Sequence, residues 1–329
     1  MTFSYSVLSD PLVVAKNRMP AHSDHRWFVS AEELTRGVSS YEQSLDGQWK
    51  FHYAKNPASV PPGFEAADFV TSGWDSIPVP AHIQLEGYDL PQYVNVQYPW
   101  DGNEAVAPPQ VPTEFNPVGC YVKSFVMERQ PAEGERVTVT FNGAESAIAL
   151  WLNGKFVGYA EDSFTPSEFD LTPYLERGEN KLAAQVFKWC SGSWLEDQDF
   201  FRFSGLFRSV VLRTYPKAHA FDLKIGVDLA KDLQNAVVSL SVDLQGKGSV
   251  RARLEGAGEF QAAEDGVLYL TISEPQLWSS ERPYLYRGWV EVVDDSGKIT
   301  EYIPIRVGVR RFGIEEGLLK INGERVVFT

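Results

Sequence analysis

Residues 136–160 read RVTVTFNGAESAIALWLNGKFVGYA, and their patterning decides the fold class. RVTVTF alternates with a period of two, the spacing of a strand that buries one face. SAIALWL and KFVGYA follow as two further strand-like runs, punctuated by Asn142-Gly143 and Asn153-Gly154. Asn-Gly between such runs predicts tight hairpins, because a type I′ turn needs positive φ at both central residues.

Reading outward, NKLAAQVFKW (180–189) and RSVVLRTY (208–215) extend the set without long helical patterns between them. Short strands at this spacing predict an antiparallel β-sandwich over residues 40–216. NAVVSLSVDL, SVRARL, VLYLTI, YRGWVEVV and YIPIRVGV then predict an immunoglobulin-like sandwich over residues 217–311. The expected class is therefore all-β. Residues 1–39 read as an extended arm with one short helix at SAEELTR, where Ser30 caps and Glu33 closes a capping box. Residues 89–119 carry Pro91, Pro99, Pro108, Pro109, Pro112 and Pro117 and predict a long loop. Tyr93, Val94, Val96, Tyr98 and Trp100 make it too apolar for disorder, so it should be ordered by packing. LLKINGERVVFT predicts a hairpin turning at Asn322-Gly323, with Val326-Val327-Phe328 beginning a strand. That strand reads either as an edge of the second sandwich or as the start of a third domain over residues 312–329.

Composition narrows the partners. The 329 residues hold 30 basic and 44 acidic side chains, a formal charge of −14. Such a field disfavours nucleic acid and anionic membranes. No apolar run is long enough to span a bilayer, and the first residues lack a signal-peptide pattern. With only Cys120 and Cys190 there is no disulfide framework, so the expected compartment is the cytoplasm and both thiols should be inert.

The densest chemistry lies in LEDQDFFRFSGLFR (195–208). Paired carboxylates suggest glycoside hydrolysis, where they stand about 5–5.5 Å apart in retaining enzymes and about 6.5–9.5 Å in inverting ones. On a strand, Asp197 and Asp199 would stand about 6.5–7 Å apart. Side by side on one face, however, they could not approach a sugar from two sides. Two readings remain: solvated turn carboxylates paired with Arg202 and Arg208, or a carboxylate supporting a hard cation or sugar hydroxyls. In either, Phe200, Phe201 and Phe203 anchor the segment and Ser204-Gly205 lets it bend. His22, Asp24 and His25 resemble metal-ligand spacing, but no cysteine or second pair stands nearby. His52, His82 and His219 read as structural. The many aromatics read as core more than as sugar-stacking platforms.

Several stretches also resemble the large bacterial β-galactosidases of glycoside hydrolase family 2. They are DPLVVAKNRMPAHSDH (10–25), SLDGQWKFHYA (44–54), WDSIPVPAHIQLEGYDLPQYVNVQYPW (74–100), PTEFNPVGCYVKSF (112–125), SWLEDQDFFRFSGLFRSVVL (193–212), LWSSERPYLY (277–286) and VGVRRFGIEEGLLKINGERVVF (307–328). The resemblance implies a jelly-roll sugar-binding domain, an immunoglobulin-like domain and then a TIM barrel holding both catalytic glutamates. The barrel would begin at residues 312–329 and is otherwise missing, so no catalytic residue is assigned and the chain alone is expected to be inactive. What the resemblance does imply is substrate contact at Asn95, Val96 and Asp199, with Asp199 also holding sodium. Sodium and magnesium are the expected cofactors of the full-length enzyme, with only part of the sodium site here. The expected partners are a β-galactoside such as lactose, cleaved with retention, the catalytic barrel and further copies of the enzyme. A stand-alone carbohydrate-binding module, an assembly subunit for a separately encoded barrel and the related β-glucuronidase branch are the alternatives.

Overall fold

The computed structural model describes residues 3–327, and it is all-β, in two compact units. The first comprises residues 3–20 and 42–214. Its larger sheet has seven antiparallel strands in the order Ala15–Lys16, Lys155–Glu161, Ala147–Leu152, Glu179–Phe187, Val118–Val126, Gly47–Ala54 and Asp75–Val79. A smaller sheet runs Glu42–Ser44, Val210–Tyr215, Arg136–Phe141 and Ser167–Asp170.

The large sheet is buried on both faces, which explains why AIALWL is apolar throughout rather than alternating. Ile148, Leu150 and Leu152 point into the core between the sheets, with Trp49, Phe51, Tyr121, Val139, Phe141 and Phe169. Their neighbours Ala147, Ala149 and Trp151 face the opposite way, into a second core completed by Val7, Leu8, Trp100 and Val111. The N-terminal residues and the proline-rich loop therefore act as a cover. Phe3 packs against Trp151 and Phe187 at 5.5 and 5.9 Å between ring centroids. Tyr98 and Trp100 stack at 5.4 Å, with Trp194 edge-on to both.

The two Asn-Gly pairs do different jobs. Asn153 and Gly154 have φ of 51° and 78° and turn the chain between paired strands, as a type I′ turn requires. Asn142-Gly143 forms no hairpin. The strand before it lies in the small sheet and the strand after it in the large one, so the chain crosses the core there. Gly143 is needed instead for close approach: a Cβ would sit 2.7 Å from the Phe207 ring. Gly154→Ala, by contrast, strains only a left-handed backbone and should cost about 1 kcal/mol, read as a lower urea midpoint for the first unit.

The second unit comprises residues 21–41 and 215–327. Its sandwich sets His219–Leu229, Asn235–Gln245, Leu268–Ser273 and Gln261–Ala262 in one sheet, and Gly258–Glu259, Gly248–Leu254, Tyr286–Asp294 and Ile299–Val307 in the other. Val238, Leu240, Leu254, Val290, Val292 and Ile303 are fully buried within it. Residues 21–41 pack onto this unit rather than standing free. Phe28 bridges to Tyr302, and Trp27 lies 4.8 Å from both Tyr215 and His219.

The helix Ala31–Arg36 has Ser30 as its cap, accepting from the Glu33 amide. Glu33 reaches back one residue further than a capping box requires and accepts from Val29 and Ser40. Residues 312–325 form an antiparallel meander of Phe312–Glu315, Leu318–Ile321 and Glu324–Arg325. Asn322 and Gly323 turn with positive φ. Of the strand expected over Val326-Val327-Phe328, Val326 donates to the Leu319 carbonyl, and Phe328 lies outside the described residues.

Candidate functional site

The carboxylate-rich segment follows the 3₁₀ turn Ser191–Trp194 and runs as a loop until Val210–Tyr215. It is not a strand, so the side-by-side placement of Asp197 and Asp199 does not arise. Its three acids take three separate partners. Glu196 accepts from the Ser163 amide at 2.8 Å and the Ser163 hydroxyl at 2.6 Å. Asp197 pairs with Arg202. Asp199 accepts from the Tyr93 hydroxyl at 2.8 Å. No two of their carboxylates share a partner.

The anchoring also differs from the sequence expectation. Phe201 is half exposed, whereas Arg202, Ser204 and Leu206 are buried. Arg202 carries the loop: its guanidinium meets Asp197 and donates to the Glu196 carbonyl at 2.9 Å. Its own amide donates to Gln92 at 2.7 Å, tying the loop to the proline-rich segment. Ser204 exchanges hydrogen bonds with Gln84. Gly205 has φ of 116° and pairs with Glu145 through both backbone groups at 3.2 Å.

Tyr93 therefore joins two segments more than 100 residues apart, and the residues singled out in the sequence lie at this junction. Asp199, Asn95 and Val96 are all solvent-exposed, Val96 at 88%. Asn95 holds a positive φ of 52°, a conformation asparagine tolerates better than most residues. Leu85, Leu90, Tyr93, Leu195 and Phe201 add further exposed apolar surface in these loops. The more buried aromatics of the proline-rich loop, Tyr98 and Trp100, pack on the large sheet, so the loop is ordered by packing as its apolar content predicts.

Beneath the loop lies a group the sequence did not flag. Glu145 is 7% exposed and shares a small cleft with Lys188, Glu196 and Arg202. Burial, then the nearby Glu196 charge, pushes its carboxyl up to about 8. Lys188 is itself buried and pairs with Asp89. Burial lowers the pKa of His82, whose Nδ1 stands 3.9 Å from the Glu145 carboxyl. A single acid in GAES, with no periodic cue and partners some 60 residues away, gives no sequence signal.

Other candidates resolve as structural. His25 Nε2 lies 2.9 Å from the Ala220 carbonyl, and His22 Nδ1 the same distance from that of Ser23. Among the described residues no three His, Cys, Asp or Glu side chains gather as a metal site. Burial raises the pKa of both cysteines, and both are free thiols. Among the described residues no helix is long and apolar enough to cross a membrane.

Comparison with known proteins agrees with this architecture. Residues 42–216 match the sugar binding domain of glycosyl hydrolases family 2, and residues 218–310 match a second model of that family. The chain is 44% identical to a β-galactosidase of Halalkalibacterium halodurans and 42% identical to one of Streptococcus thermophilus, over 98% of its length in each case. It spans about a third of the length of these relatives, 33% and 32%. A β-galactosidase large subunit of Lactobacillus helveticus is 40% identical over 97% of this chain and 54% of its own. Among solved structures, a β-glycosidase from Bacteroides vulgatus superposes with a TM-score of 0.66 at 21% identity, covering 87% of this chain and 36% of that one. A Ruminococcus gnavus β-glucuronidase gives 0.65 at 20%, covering 88% and 48%. At such identities the likeness is one of fold. Two family models spanning both sandwiches, with close relatives along nearly the whole sequence, place the chain in glycosyl hydrolase family 2.

Proposed function

We propose that these two units are the N-terminal, non-catalytic portion of a retaining β-galactosidase, and that the first supplies one wall of its galactoside site. The observation that carries this reading is the Tyr93–Asp199 hydrogen bond, which sets the loop bearing Asn95 and Val96 beside an exposed carboxylate. In this reading Asn95 and Val96 meet the sugar, and Asp199 serves both sugar and sodium. A carboxylate oxygen is the ligand type a hard cation takes. Asp199 fits as one donor of such a site and not as a whole one, because no cluster of three ligating side chains surrounds it among the described residues. No residue here is assigned to magnesium. Bond cleavage is left to glutamates outside this sequence, one as acid/base and one as nucleophile.

Large-subunit names among the relatives favour a second form of the same reading, in which a companion chain completes the enzyme. The β-glucuronidase neighbours carry no such weight, since they share only the fold.

The test joins residues 1–329, in one chain or as a separate partner, to the remaining two thirds of the Halalkalibacterium halodurans relative. Residues 1–329 alone should not hydrolyse a nitrophenyl β-galactoside, and should bind galactose more weakly than millimolar by calorimetry, because one wall cannot desolvate a sugar. The joined protein should be active. Asp199→Asn in it should raise KM about tenfold or more and remove the response to sodium. Turnover by residues 1–329 alone, or an Asp199→Asn variant with unchanged KM and sodium response, would overturn the proposal.

A further inference from the structure

We propose that Glu145 is a positioning residue for the Asp199 loop, and that the proton on its buried carboxyl, which faces His82, sets how that loop is held. The geometry is specific to this place. The Glu145 backbone is bonded to Gly205 in both directions, and its carboxyl is turned to the Phe203 amide. The facing imidazole of His82 has a buried Nδ1 without a hydrogen-bond partner. Its ring is stacked on Phe207 at 5.1 Å and packs on Phe203 at 4.6 Å. Phe203 stacks on Phe201 at 5.9 Å, Phe201 lies 5.6 Å from Tyr93, and Tyr93 bonds Asp199. A continuous run of packed rings thus leads from a buried acid to an exposed carboxylate.

The charged groups around Glu145 set the sign. Glu196 adds like charge beside it, and the nearby Lys188 and Arg202 cations partly offset that. Lys188 is already paired with Asp89, and Arg202 with Asp197. Both cations favour the Glu145 anion, but less than burial and the Glu196 charge oppose it. Below about pH 8 the Glu145 carboxyl therefore keeps its proton, and burial keeps His82 neutral beside it. Above that pH the carboxyl ionises against Glu196. The imidazole, still neutral, is then the nearest group able to rearrange, moving its single N–H to Nδ1 so that it faces the new carboxylate. Any such shift of His82 moves the Phe203 and Phe207 rings stacked on it.

The meaning of this for ligand binding rests on the reading of Asp199 given above, but the test does not. The ring signals of Tyr93 and the amide signals of Phe203 and Gly205 are followed by NMR from pH 6 to 9.5, with residues 1–329 free of ligand. All three should shift together with a midpoint near pH 8. In Glu145→Gln, which keeps shape and the acceptor for Phe203, the step should vanish, leaving a shift of less than a fifth of the original. In His82→Asn the Tyr93 response should shrink at least twofold while the Gly205 response persists. A step retained in Glu145→Gln, or none in the unmodified chain, would overturn the inference. An unchanged KM for Asp199→Asn in the joined protein, with these shifts intact, would instead count only against the functional reading.

Discussion

Arg202→Ala should lower the unfolding free energy of the first unit by about 3–5 kcal/mol, the usual cost of breaking a buried ion pair by removing one partner. Arg202 is 4% exposed and ties together Asp197, the Glu196 carbonyl and Gln92. Deletion leaves the partly buried Asp197 carboxylate without its counter-charge and the Glu196 carbonyl without this donor. The loss is also local. Hydrogen exchange across residues 195–204 should quicken more than exchange in Ala147–Leu152. Arg202→Lys should recover only part of the loss, since an ammonium cannot reproduce the two directed contacts of the guanidinium. Chemical denaturation of the three proteins checks the order, and an alanine variant within 1 kcal/mol of the unmodified chain would contradict this role.

Gly205→Val should be nearly as damaging, by about 3 kcal/mol or more. Its φ of 116° lies where side-chain-bearing residues are strained. A Cβ there would also meet the Tyr121 hydroxyl at 2.9 Å and the Ala81 carbonyl at 3.0 Å, neither of which is a flexible tip. Overpacking a closed site typically adds about 1–3 kcal/mol to the backbone term. The same substitution at Gly297 has a positive φ but open space around the built Cβ. It should cost clearly less, which separates crowding from backbone strain.

How much of this was legible in the sequence depended on the range over which each signal acts. The period-two run RVTVTF and the Asn153-Gly154 turn are local, and both formed, although the strand buries Thr138 and Thr140 as fully as its valines instead of one face only. Asn142-Gly143 carries the same dipeptide, yet it sits where the chain changes sheets. That fact depends on which distant strands pair: Phe141 with Ser167, and Ala147 with Phe187. Residues 3–20 looked like a loose arm because their partners are remote in sequence. Asn17 donates to Val157, and Arg18 bridges to Phe169. In the loop, the resemblance pointed to Asp199, while elementary chemistry suggested Asp197 and Arg202 as a pair, and that pair is present. Phe200 and Phe203 pack as anchors, on Phe164 and His82, whereas Phe201 misled because hydrophobicity alone cannot tell an anchor from an exposed apolar surface. Glu145 was invisible, since its importance comes from being buried beside Glu196 and His82 rather than from any pattern around it.

The hold on residues 195–208 falls at Glu196, Asp197, Arg202, Ser204 and Gly205, while Leu195, Gln198 and Phe201 face solvent. Mounting and display are thus assigned to different side chains of one short segment. Outward positions can therefore be exchanged, altering what this rim greets, without loosening the fastenings beneath.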